Sequence, residues 1–176
     1  DHAFYFGVFY SAMISLSKQQ KILLNVDGTT PPLNYLGCFN AGKEITIEGI
    51  VGEMAGFFME SGKIIIMGSE YYASLGDHCG YGLCGGEIEI KGITGYHTAH
   101  QQMGGVIRVN NWKQDLSSIG NTYGGLVQIA QHIEGILLVD VSLHGDAKGT
   151  VMYGDVPIVE QGKLKCSKHP HLNIRV

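Results

Sequence analysis

His78, Cys79 and Cys84 fall within one glycine-rich stretch, residues 76–86 (GDHCGYGLCGG), and Cys166, His169 and His171 form a C-x-x-H-x-H group near the end of the sequence. Thiolate and imidazole are common zinc ligands, so both groups are weighed first as metal sites. The first fits no standard zinc spacing, and its residues alternate with glycines that belong to a repeat. The second has three ligands and no evident fourth. His97 and His100 follow another glycine; on an extended strand they would face opposite sides. General-base work there needs a partner within hydrogen-bond reach, and the sequence names none. Asp77 and Asp146 sit in glycine-rich turns, where Asp commonly bonds its own backbone. Gly80-x-Gly82 opens no helix, so a phosphate cradle fails its own context test. The expectation is no catalytic constellation, no metal and no cofactor.

The glycines around these residues recur. Gly49, Gly52, Gly56 and Gly62 are followed by Gly76, Gly80, Gly82, Gly85 and Gly86, then by Gly92, Gly95, Gly104 and Gly105. Between Gly42, Gly62, Gly86, Gly105 and Gly125 the intervals are 20, 24, 19 and 20 residues. Each interval leads into one short strand: EITIEG (44–49), KIIIMG (63–68), EIEIKG (87–92) and VIRVNN (106–111). A fixed period with one strand and one glycine set per unit signals a solenoid, whose apolar face is buried only by stacking unit on unit. The apolar period is two rather than 3.6, and glycine interrupts every candidate helix. The fold expected is therefore all-β: a single-stranded parallel β-helix of about 20 residues per rung with irregular N- and C-terminal caps.

Aligned on the strand ends, Ile45, Ile64, Ile88, Ile107 and Val127 form one inward column, and Ile47, Ile66, Ile90, Val109 and Ile129 a second. Thr46, Ile65, Glu89, Arg108 and Gln128 face outward, with Lys63 beside Glu87 and Glu89 beside Arg108 on adjacent rungs. The rungs span 42–155, a lead-in or cap takes 1–41, and a C-terminal cap takes 156–176, all as one domain. Ser69–Ala73 (SEYYA) is an insertion on one rung, and insertions in solenoids commonly mark the working face. Tyr71 and Tyr72 on it are candidate interface anchors.

Composition narrows the function classes. Charged residues are 16% of the chain and the net charge is −4, which argues against a nucleic-acid partner needing a basic stripe. Low surface charge suggests that part of the surface is covered by something else. Cys38, Cys79, Cys84 and Cys166 are too few for a disulfide scaffold and read as reduced thiols in a cytoplasmic protein. Ala3–Leu16 is apolar but short of the roughly 20 residues a spanning helix needs. It is expected to cap the first rung or to form a buried contact surface, with no membrane partner.

The pattern Gly-x-x-Gly-x-x-x-Gly-x-x-Met-x-Gly-Gly, followed by a strand and a further Gly, resembles the GXGXG domain family. Residues 76–92 carry the closest likeness, and the resemblance covers roughly 42–130; Ala99 departs from it by replacing a glycine. In that family the domain is a right-handed parallel β-helix, found at the C-terminal end of the large chain of glutamate synthase and as the β-helical component of formylmethanofuran dehydrogenase. The resemblance implies a right-handed coil and a non-catalytic structural or assembly role in an oxidoreductase complex, with catalytic subunits as partners or with self-association. The alternative is a stand-alone β-helix enzyme or a ligand- or metal-binding protein using the 68–86 turn, around His78, Cys79 and Tyr81.

Overall fold

The computed structural model describes residues 2–68, 76–113, 119–130, 133–134, 136–138, 148–161, 163–166 and 173–175. Helix α1 (His2–Leu16) is followed by β1 (Lys21–Asn25), β2 (Ala41–Glu48), β3 (Ser61–Ile66), β4 (Glu87–Ile93), β5 (Val106–Lys113) and β6 (Leu126–Ile129). Short strands β7 (Ile133–Glu134) and β8 (Ile136–Leu138) precede β9 (Thr150–Tyr153), β10 (Val156–Glu160), β11 (Lys163–Leu164) and β12 (Asn173–Arg175). Strands β1 to β6 and then β9 pair in parallel, one per turn, so the chain is a β-solenoid. Beyond β9 the ladder reverses: β10 runs antiparallel to β9, and β11 antiparallel to β10. Strand β7 joins β5, and β12 pairs with β8.

Both inward columns lie in the expected register, and each is longer than the sequence pattern indicated. The first runs Ile22, Ile45, Ile64, Ile88, Ile107, Val127, Val151, and the second Leu24, Ile47, Ile66, Ile90, Val109, Ile129, Tyr153. From Ile45 and Ile47 to Ile129 every member is at most 1% exposed. At about 1.5–3 kcal/mol for a fully buried aliphatic side chain, these columns are the main apolar gain of the fold. Rung stacking alone supplies it, because each isoleucine is covered by its counterparts above and below.

Outside the sheet, Lys63 Nζ bridges Glu87 at 3.1 Å and Glu89 at 3.0 Å. Arg108 lies opposite Glu89 in the register, yet its ion pair runs diagonally to Glu87 at 3.3 Å. The expected Glu89–Arg108 neighbours are thus in place, but Lys63 occupies the Glu89 carboxylate, and Arg108 also donates to Gln128.

Residues 3–16 are helical, which corrects the expectation that glycine interrupts every candidate helix. Gly7 lies where α1 crosses the first rung: a β-carbon there would collide with the backbone carbonyl of Asn34. One small-residue stripe, Ala3, Gly7 and Ser11, is buried at four-residue spacing. The Gly37 amide donates to Ser11 Oγ at 2.9 Å, and that hydroxyl faces the carbonyls of Gly7 and Tyr35. The opposite face leaves Tyr5 (67% exposed), Phe9 (59%) and Leu16 (82%) in solvent. No helix among the described residues is long and apolar enough to cross a membrane.

Candidate functional site: an aromatic and imidazole face

The turn after each inner strand repeats one backbone conformation. Tyr35, Met54, His78 and His97 hold equivalent positions with φ of 60°, 60°, 60° and 53°. Their amides pass hydrogen bonds rung to rung: Tyr35 to the Glu53 carbonyl at 2.8 Å, Met54 to Asp77 at 3.0 Å and His78 to Tyr96 at 2.8 Å. Two residues further on stand Gly37, Gly56, Gly80 and Ala99, with φ of 72°, 69°, 69° and 65°. Ala99 thus holds the place of a repeat glycine, and it keeps the glycine conformation. The residue between these two positions points inward, giving the buried set Leu36, Ala55, Cys79 and Thr98, with buried Ile119 bridged to Thr98 on the next rung.

The residue after Gly56, Gly80 and Ala99 points outward, whereas Cys38, after Gly37, is buried. Phe57, Tyr81 and His100 form a column with centroid spacings of 5.5 Å and 5.5 Å, the first pair stacked and the second tilted at 45°. Tyr35 and Phe4 extend it toward α1, Tyr35 lying 5.3 Å from Phe57 and 5.0 Å from Phe4. Phe39 and Phe58 flank it, stacked on each other at 6.3 Å. On the other side His78 stacks on His97 at 5.2 Å, and both rings approach His100, at 6.0 Å and 5.8 Å. One face of the solenoid is thus paved with rings, most of them half-exposed. Aromatic pairs at such distances contribute about 0.5–1.5 kcal/mol each beyond simple burial.

His97 and His100 are brought together, not set on opposite sides. They lie in a turn, and the left-handed conformation at His97 breaks the two-residue alternation on which the expectation rested. His78, Cys79 and Cys84 do not converge. Cys79 is fully buried in the core and burial pushes its thiol well up, whereas Cys84 is exposed with Sγ 3.3 Å from the Gly82 carbonyl. Asp77 bonds the neighbouring rung rather than its own turn, its Oδ1 accepting from the Tyr96 amide at 2.8 Å. Asn34 does the same two turns earlier in the stack, accepting from the Glu53 amide at 2.9 Å. Gly82 makes room for a ring, since a β-carbon there would stand 2.9 Å from Phe58 Cε1.

Tyr71, Tyr72, Asp146, His169 and His171 lie outside the described residues, so only Cys166 of the C-terminal group is placed, partly buried against the core. No three His, Cys, Asp or Glu side chains among the described residues are arranged to hold a metal ion. The three imidazoles cluster by stacking and edge contacts, and Tyr81 Oη is committed to Gln101 Oε1 at 2.7 Å. A face of this kind suits apolar and π contact with another surface. Its signal in the sequence is the residue following Gly56, Gly80 and Ala99, a column visible only when the turns are aligned instead of the strands. Comparison with protein-family models, curated proteins and solved structures returned no match.

Proposed function

We propose that the chain is a non-catalytic assembly component of a cytoplasmic oxidoreductase complex, docking a catalytic partner on its ring-paved face. The supporting observation is the continuous column Phe4, Tyr35, Phe57, Tyr81 and His100, flanked by Phe39 at 57% exposure. Large rings held by a rigid repeating backbone lose little freedom on binding, which is why aromatic residues dominate interface hot spots. The glycine pattern, which resembles that of GXGXG domains, favours formylmethanofuran dehydrogenase or glutamate synthase systems. Affinity purification of the tagged chain from its native cells tests this. Molybdenum- or tungsten-enzyme subunits, or glutaminase and flavin-bearing chains, should co-purify in stoichiometric amount and be lost with Phe39→Glu. A wild-type preparation containing no redox enzyme chain would sink the proposal.

A second reading, a ligand-binding solenoid, is favoured by the meeting of His78, His97 and His100 beside Tyr81. Imidazole resonances of these three residues that shift together during a small-molecule screen would support it, and unchanged resonances would remove it.

A further inference from the structure

We infer that two copies of the chain join through their N-terminal ends, β1 pairing antiparallel with its own counterpart about a two-fold axis at Leu23. The N-terminal end of the stack is only half capped. Helix α1 covers the turn side, where the Asn34 amide donates to the Ala3 carbonyl at 3.3 Å and the Gly37 amide to Ser11. On the strand side, β1 begins the sheet and pairs among the described residues with β2 alone. An edge strand reading Lys-Ile-Leu-Leu-Asn, with Leu23 64% exposed, is a template for another strand.

The occupant follows from the two ends of the fold. Head-to-tail stacking would need a free parallel edge after β9, but there the ladder turns antiparallel through β10 and β11. An N-terminal end can thus meet another N-terminal end, and a two-fold axis makes the two strands antiparallel. Centring the axis on Leu23 gives full overlap: Ile22 faces Leu24 of the partner subunit, and Lys21 faces Asn25 of the partner subunit. That register keeps the two Lys21 ammonium groups apart. It also carries both inward columns across the axis, because Ile22 and Leu24 are their first members. On the strand side the rung-to-rung pairing continues into the second copy, while α1 of each copy stays over its own turn side. A groove of ≈360 Å3 beside this edge, lined by Tyr10, Met13, Ile14, Ile22 and Leu24, supplies further apolar surface for the contact. This inference stands independently of the docking face proposed above.

Light scattering on the eluting full chain is the test, together with disulfide trapping in a Cys84→Ser background. The wild type should elute at twice the chain mass across micromolar concentrations. Leu23→Lys, an exposed change that leaves circular dichroism unaltered, should elute at a single chain mass. Leu23→Cys should form an interchain disulfide, since directly opposed residues in antiparallel strands lie about 4.5–5.5 Å apart between α-carbons. Lys21→Cys alone should not, because its counterpart lies several residues along the strand. A monomeric wild type, a Leu23→Lys chain that remains dimeric, trapping at Lys21 in place of Leu23, or a foreign chain bound to a single copy would each overturn the inference.

Discussion

Gly56 and Ile88 share one volume: a β-carbon on Gly56, in the turn after β2, would stand 2.5 Å from Cδ1 of Ile88 on β4. Gly37 stands in the same relation to Ile64, at 2.6 Å, and Gly80 to Ile107. At the next rung the glycine becomes Ala99, and the residue holding the corresponding place in the column is Val127, both fully buried. Valine has no δ-carbon. The methyl group gained at 99 is matched by the one missing at 127, so the two departures from the repeat compensate each other.

Val127→Ile should therefore destabilise the protein by about 1–3 kcal/mol through overpacking. Adding Ala99→Gly to it should recover most of that loss. Chemical denaturation of the two single variants and the double variant measures the coupling. Additive changes would show that the two sites do not share space.

Gly7→Ala should detach α1 or shift it, costing on the order of 1–3 kcal/mol, because the added methyl meets the Asn34 backbone rather than a movable side chain. Hydrogen exchange should show the amides of Asn34 and Gly37 losing protection while those of β3 to β5 keep theirs. Ser11→Ala should produce a milder version, since it removes the hydroxyl that the Gly37 amide and the Gly7 and Tyr35 carbonyls share but adds no clash.

Burial pushes the Glu87 carboxyl up, but the hydrogen bonds and charges of Lys63 and Arg108 outweigh it and hold the group below its ordinary 4.5. Its stabilising effect is complete above that value and is lost as pH falls through the lower folded value. Lys63 mirrors it: hydrogen bonds to Glu89 and then Glu87 hold its ammonium above the ordinary 10.5, and its contribution disappears as pH rises through the folded value. The Lys63 and Glu87 side chains are 34% and 31% exposed, so solvent screening keeps each pair to about 1 kcal/mol or less. Glu87→Gln should flatten the fall in Tm between about pH 5 and pH 3.

Cys84 should react with a thiol reagent in the native protein, whereas Cys79 should react only on unfolding, being enclosed and held as the neutral thiol. Cys79→Ser should cost about 1–3 kcal/mol by placing a hydroxyl in an apolar core position. Peptide mapping after brief labelling distinguishes the two sites, and equal labelling would mean that the turn carrying Cys79 is open.

The strand register was legible because alternation and stacking ask the same thing of each residue: Ile64, Ile88 and Ile107 must face inward and must also superimpose. The turns were less legible. His97 and His100 obey a left-handed corner that no alternation rule describes, and Arg108 chose among three acceptors that the register alone could not rank. Helix α1 was hidden for a different reason. Its Gly7 reads as a breaker, yet the residue serves a close contact with Asn34 that exists only after the chain has folded back. The ring column lay between these cases. Its positions were implied by the glycines, but its content varies from Phe57 to Tyr81 and His100, so no repeat of residue type announced it.

That variation has a consequence for how such a surface changes. The corner backbone is fixed by glycines and rung-to-rung hydrogen bonds, so the outward residue after each corner is chosen without reference to the core. Evolution, or a protein engineer, can rewrite this row one rung at a time, at a pitch of about 4.8 Å, as separately addressable positions on a rigid ruler.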